Sequence, residues 1–147
     1  MKIHCLSIFQ PLANEIMNGE KPVENRSWNW LKDRDWKKEG PILLGIHAST
    51  NKCMWNDYSE EEKAELAEKS PTGKVEFGKV LGVVEVVEIC RPRKIPKQLS
   101  NHNSVNKRSD NWCWVLKNPK WFKKPIKSTG QARLFFASIS SNLIAKL

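Results

Sequence analysis

Apolar residues along the 147-residue chain fall into short runs with turn residues between them. Ile3 to Phe9 reads as a strand, Pro22 to Trp28 as a second extended segment and Ile42 to Ala48 as a third. Val80 to Cys90 carries the strongest β signal, a valine-rich run whose continuous apolarity predicts a central strand buried on much of both sides. Trp112 to Leu116 and Leu134 to Ile139 complete about six strands. Pro11 to Asn18 is the first helix: Pro11 suits a first helical position, where its missing N–H would be unpaired anyway, and Gly19 suits the left-handed residue that ends it. Ser59-Glu60-Glu61-Glu62 starts a second helix by the capping-box pattern, with an acidic first turn and only Ala64, Leu66 and Ala67 to pack. The pattern predicts an α+β fold, a small mixed β-barrel of about six strands flanked by short helices. We expect a single domain over 1–147, with a polar helical insertion near 50–72 and a basic loop near 91–109.

Just past the first helix, Lys21 falls in a tight exit loop, and Pro22 forces an extended chain. Period-two alternation then places Glu24, Arg26 and Trp28 on one face. A solvated charge cluster is the ordinary reading of such a run.

Gln10-Pro11-Leu12-Ala13, followed by Gly19-Glu20-Lys21-Pro22-Val23-Glu24-Asn25-Arg26-Ser27-Trp28, resembles the signature of the ASCH domain, a branch of the PUA-like superfamily. Ile46-His47-Ala48-Ser49, Gly78 to Val87, Trp112 to Pro119 and Pro125-Ile126 fall in the order that family has, over roughly residues 3 to 138. The resemblance implies a PUA-like barrel and a cleft between helix and barrel into which Lys21 and Arg26 point. It leaves the activity open, because function lives in sites and not in folds.

Charge changes the picture further. The net +9 divides into 12 Lys/Arg against 15 Asp/Glu in residues 1–88 and 13 against one in residues 89–147, a balance of −3 and +12. Such a distribution suits a polyanion better than a neutral metabolite, although solubility alone is the bland alternative. Arg91, Arg93, Lys94, Lys97, Lys107 and Arg108 occur among prolines, asparagines and serines, which reads as a mobile basic loop able to meet phosphates. Seven tryptophans are a heavy aromatic load; Trp112 and Trp114 read as structural, and Trp28, beside Arg26 and Ser27, is the candidate for stacking on a base.

Glu85 stands amid valines, where a buried carboxylate needs a cation, and Lys21 is the expected partner; the other reading is an outward, hydrated glutamate. By resemblance, some small ASCH-like enzymes hydrolyse acylated cytidine with a lysine, a threonine three residues on and a glutamate on a barrel strand. Lys21 and Glu85 match, but Glu24 stands at the threonine's position and cannot supply the hydroxyl; Ser27 or Ser49 would have to substitute.

The sequence thus leaves two classes open. The first is a nucleic-acid-binding domain, RNA favoured over DNA by the resemblance, that holds a nucleotide at Lys21, Arg26 and Glu85. The second is a hydrolase acting on acylated cytidine or on RNA through Lys21, Glu24 and Glu85. Cys5, Cys53, Cys90 and Cys113 are scattered without a Cys-x-x-Cys pair, and His4, His47 and His102 lack zinc-site spacing, so we expect free thiols, no metal and no cofactor. No leader pattern or membrane-length apolar run is seen, and a cytoplasmic protein is expected.

Overall fold

A computed structural model describes residues 1–147. Six strands, β1 (Lys2–Ile8), β2 (Val23–Arg26), β3 (Ile42–Ala48), β4 (Lys79–Cys90), β5 (Trp112–Lys127) and β6 (Leu134–Ser138), form one mixed sheet in the order β2-β5-β4-β3-β1-β6. Only β1 and β3 run parallel. The strand count and the mixed character agree with the sequence pattern, but the sheet is not closed by strand pairing: β2 and β6 are its edges. Four short helices accompany it: α1 (Leu12–Met17), α2 (Trp36–Glu39), α3 (Glu60–Lys69) and α4 (Ser141–Ala145).

Both faces of the sheet are covered over most of β4, which is why it is largely apolar, with Glu85 and Glu88 at its half-buried positions. Leu81, Val84 and Val86 join Leu6, Ile8, Leu44, Ile46 and Trp114 under Ala13, Ile16 and Met17 of α1. Val80 and Val83 join a second cluster with Ile3, Cys5, Phe122, Phe135 and Ala137. Gly82 has a specific reason: a Cβ there would collide with the Lys120 carbonyl, so glycine is what lets β5 approach so closely.

β5 runs well past the expected Trp112 to Leu116. Its second half is lysine-rich and bulged against β4, with register shifts at three places and Asn118 at a φ of 52°. A strand of that composition has no period-two pattern to read.

Local chemistry follows expectation at two helix ends. Gly19 adopts a φ of 79° directly after α1. The capping box of α3 is complete, Glu62 N–H donating to Ser59 Oγ (3.1 Å) and Ser59 N–H to Glu62 Oε1 (3.0 Å). Cys5, Cys90 and Cys113 are buried free thiols, the first two pushed up to about 11 and about 12 by burial; Cys53 is exposed.

The segment 91–109 is anchored, contrary to its reading as a mobile loop. Two 310 turns, Pro92–Lys94 and Lys97–Leu99, lead Ile95, Leu99 and Val105 onto a third apolar cluster with Val23, Cys113 and Val115. Asn25 of β2 clamps its far end, donating to the Ser104 carbonyl (2.7 Å) and accepting from Asn106 N–H (3.0 Å) and Asn111 Nδ2 (2.9 Å).

Candidate functional site

The unclosed side of the sheet is bridged by one guanidinium. Arg26, at the end of β2, donates to the main-chain carbonyl of Ser7 on β1 (3.3 Å). Beside this seam lies a cleft of about 1220 Å³. Lys21, delivered by the turn after α1, is buried at 9% exposure, and Glu24 at 6%. One carboxylate serves both cations: Glu24 Oε1 lies 3.4 Å from Lys21 Nζ, and Oε2 accepts from Arg26 Nη2 at 2.8 Å and Nε at 2.9 Å. Lys21 also donates to the Val23 carbonyl at 2.8 Å. The cluster is therefore fixed by the fold and is not the loose, solvated run that charge patterning alone suggests.

Further cations reach the cleft from elsewhere in the chain. Lys79 opens β4, Lys127 ends β5, and Arg133 closes the turn that leads into β6. With Lys21 and Arg26 they make five cations against one carboxylate, Glu24, among the lining residues, and buried Glu76 behind the wall holds Lys79 at 2.8 Å. Phe9, 40% exposed, and Phe77 add two aromatic rings to the wall. Glu24 is committed to two cations, and both ring nitrogens of His47 are engaged, so the donor set favours an anion over a metal ion.

His47 was not singled out by sequence reasoning. It is 1% exposed and stands opposite Ser7 in the parallel β1–β3 register. Its Nδ1 lies 3.0 Å from Ser7 Oγ and its Nε2 2.8 Å from the Ser128 carbonyl. Burial holds its pKa below the ordinary imidazole range, partly opposed by the Ser128 carbonyl. Gly130 packs against the pair; a Cβ there would lie 2.8 Å from His47 Nδ1 and 3.1 Å from Ser7 Oγ. Nothing in the sequence placed the Ser128-Thr129-Gly130 segment over His47.

Several expected members lie elsewhere. Glu85 is not the partner of Lys21: its carboxylate accepts from Asn118 Nδ2 (2.8 Å) and is not in the cleft wall. The hydrated reading of Glu85 is the one the structure has. Alternation does pair Glu24 with Arg26, but Trp28 lies beyond the end of β2. Its ring packs edge-on against Trp114 (5.0 Å) beneath the Arg133 guanidinium (5.3 Å), which removes it from the cleft wall. Ser27 is exposed and outside the cleft, whereas Ser49 lines it, with an Oγ that accepts from Asn51 N–H. The lysine, hydroxyl and strand glutamate of the acyl-cytidine pattern are therefore not assembled here. None of Arg91, Arg93, Lys94, Lys97, Lys107 and Arg108 lines the cleft; Arg91 lies over the Trp112 ring (3.7 Å) and Arg108 pairs with Asp110.

Comparison with known proteins agrees with this architecture. The structure of an ASCH protein from Zymomonas mobilis matches with a TM-score of 0.52 at 12% identity, covering 97% of this chain and 91% of that one. A single-residue mutant of the same protein matches with a TM-score of 0.52 at 12% identity, covering 99% and 96%. At that identity the likeness speaks for the fold alone. The ASCH domain family model matches residues 6–126, most of the chain, and the protein thus belongs to the ASCH domain family.

Proposed function

We propose that the cleft binds a short stretch of single-stranded nucleic acid, with RNA as the preferred strand. The observation that carries this reading is the ring of five cations, Lys21, Arg26, Lys79, Lys127 and Arg133, of which Glu24 pairs Lys21 and Arg26 and buried Glu76 pairs Lys79 (2.8 Å), leaving Lys127 and Arg133 without an acidic partner. Such a site has surplus positive charge for phosphates. Its volume of about 1220 Å³ exceeds what one small metabolite needs, since small-molecule pockets run to roughly 1,000 Å³. Phe9, 40% exposed, offers a π-face to an unstacked base, which a duplex does not present, while the Phe77 ring beside it is already covered by Lys52 (4.6 Å). The preference for RNA rests on the family likeness.

Fluorescence anisotropy with a labelled oligonucleotide tests this. Single-stranded RNA should bind more tightly than the same sequence as a duplex, and affinity should fall with salt with a log–log slope of about −2 to −3, as expected for three or four neutralised phosphates. Equal affinity for the duplex, or binding indifferent to salt, would remove this reading.

A further inference from the structure

The cleft holds a hydroxyl paired with a base. A carbonyl oxygen only accepts, so the 2.8 Å contact to Ser128 fixes the hydrogen of neutral His47 on Nε2. Nδ1 then carries the lone pair, and the 3.0 Å bond is Ser7 Oγ–H donating to it. The Ser128 carbonyl orients the ring as a third member. His47 itself is buried, whereas Ser7 is half-buried in the cleft wall, so Ser7 is the member a ligand meets. The charged groups in that wall are Lys21, Arg26, Lys79, Lys127, Arg133 and Glu24, and Phe135 packs edge-on against the ring from β6 at 5.5 Å. Burial keeps the imidazole neutral, and the cations of the wall favour negative charge developing at Ser7.

We propose that Ser7 is a nucleophile activated by His47, and that the protein hydrolyses carboxylic esters whose alcohol carries a phosphate. The phosphate part rests on the anion-binding reading of the cleft; the nucleophile does not. In the first step Ser7 Oγ bonds to the acyl carbon while its proton passes to His47 Nδ1. The carbon–oxygen bond to the alcohol breaks, and the departing oxygen takes that proton. Water then attacks acyl-Ser7, its proton passes through His47 to Ser7 Oγ, and the carboxylic acid leaves. Arg26, already held against the Ser7 main chain, is the fixed cation assigned to the oxyanion.

A fluorophosphonate probe tests the nucleophile. Native protein should be labelled once, at the peptide containing Ser7, and the rate should rise with pH around a midpoint below the ordinary histidine range. Ser7→Ala should abolish labelling, and His47→Gln should slow it about a hundredfold. The small Ser7→Ala change keeps the test decisive should His47→Gln not fold. Labelling elsewhere, none at all, or equal rates in folded His47→Gln would overturn the proposal, and salt-dependent RNA binding would then still stand. Acetate release from 2′(3′)-O-acetyl AMP should exceed that from O-acetyladenosine. Ser7 labelling with no preference for the phosphorylated ester would overturn the substrate class and count against the anion cleft as well.

Discussion

Two parts of this molecule are rich in positive charge, and they are built in opposite ways. In the segment 91–109 the cations are neighbours in sequence, yet they diverge in space: Arg91 covers Trp112, Arg108 pairs with Asp110, and Arg93, Lys94, Lys97 and Lys107 face solvent. In the cleft the cations are far apart in sequence and converge. Lys21 follows α1, Arg26 ends β2, Lys79 begins β4, Lys127 ends β5 and Arg133 leads into β6. Charge density along a chain therefore says little about charge density in space. Strand ends gathered at one side of a sheet can build a field that no contiguous motif announces.

Lys21, Arg26 and Lys79 of the cleft are also held by buried carboxylates, and no loop cation is, so the two regions should respond differently to substitution. The largest effect is expected at Glu24. Glu24→Ala leaves the buried Lys21 ammonium without its counter-ion, at a cost of about 3 kcal/mol in urea denaturation. A cost near zero would mean that the cluster is as solvated as the loop. Asn25 joins the two regions, and Asn25→Leu removes three hydrogen bonds, while Asn111 Nδ2 keeps its bond to the Asn106 carbonyl (2.9 Å), for about 2 kcal/mol. Faster amide exchange at Asn106 should accompany the loss, and unchanged exchange would show that the loop is anchored by its apolar residues alone.

His47 supplies a smaller, pH-dependent difference. Its folded pKa is held down by burial, so the unfolded chain, titrating near about 6.5, takes up a proton that the folded protein resists. The stability tied to His47 is full above that pH and is lost as pH falls toward the folded value. His4, also lowered by burial, acts in the same direction, so folded His47→Gln should reduce the acid sensitivity without abolishing it. A pH dependence identical to wild type would place the effect elsewhere. The smallest effect belongs to the loop: Lys97→Ala or Lys107→Ala should change stability by less than about 0.5 kcal/mol.

Much of the frame was legible because it rests on local rules. The valine run gave β4, and the turn chemistry of Gly19 and the capping box of α3 appear as read. Glu24 and Arg26 share a face because strands alternate. What the sequence could not carry was convergence. Lys21 and Glu85 were expected to pair because a carboxylate among valines needs a cation and the family pattern has both, but Lys21 is held by Glu24 three residues away and Glu85 by Asn118. Ser7 and His47 meet through the parallel β1–β3 register, and Gly130 reaches them through a turn after a bulged strand. Neither relation leaves a periodic trace. Trp28 left the cleft face because β2 stops at Arg26, and its ring packs on Trp114 instead.

The central claim is that the converging cations, and not the contiguous ones, hold the phosphates. Salt titration of single-stranded RNA binding by two variants tests it most directly: Lys127→Ser with Arg133→Ser, and Lys94, Lys97, Lys107 and Arg108 all changed to Ser. The account predicts that the cleft pair flattens the log–log slope by about 1.4, at about 0.7 per phosphate on a single strand, while the four loop changes leave it within about 0.5 of wild type. A flattened slope in the loop variant with an unchanged slope in the cleft variant would contradict it.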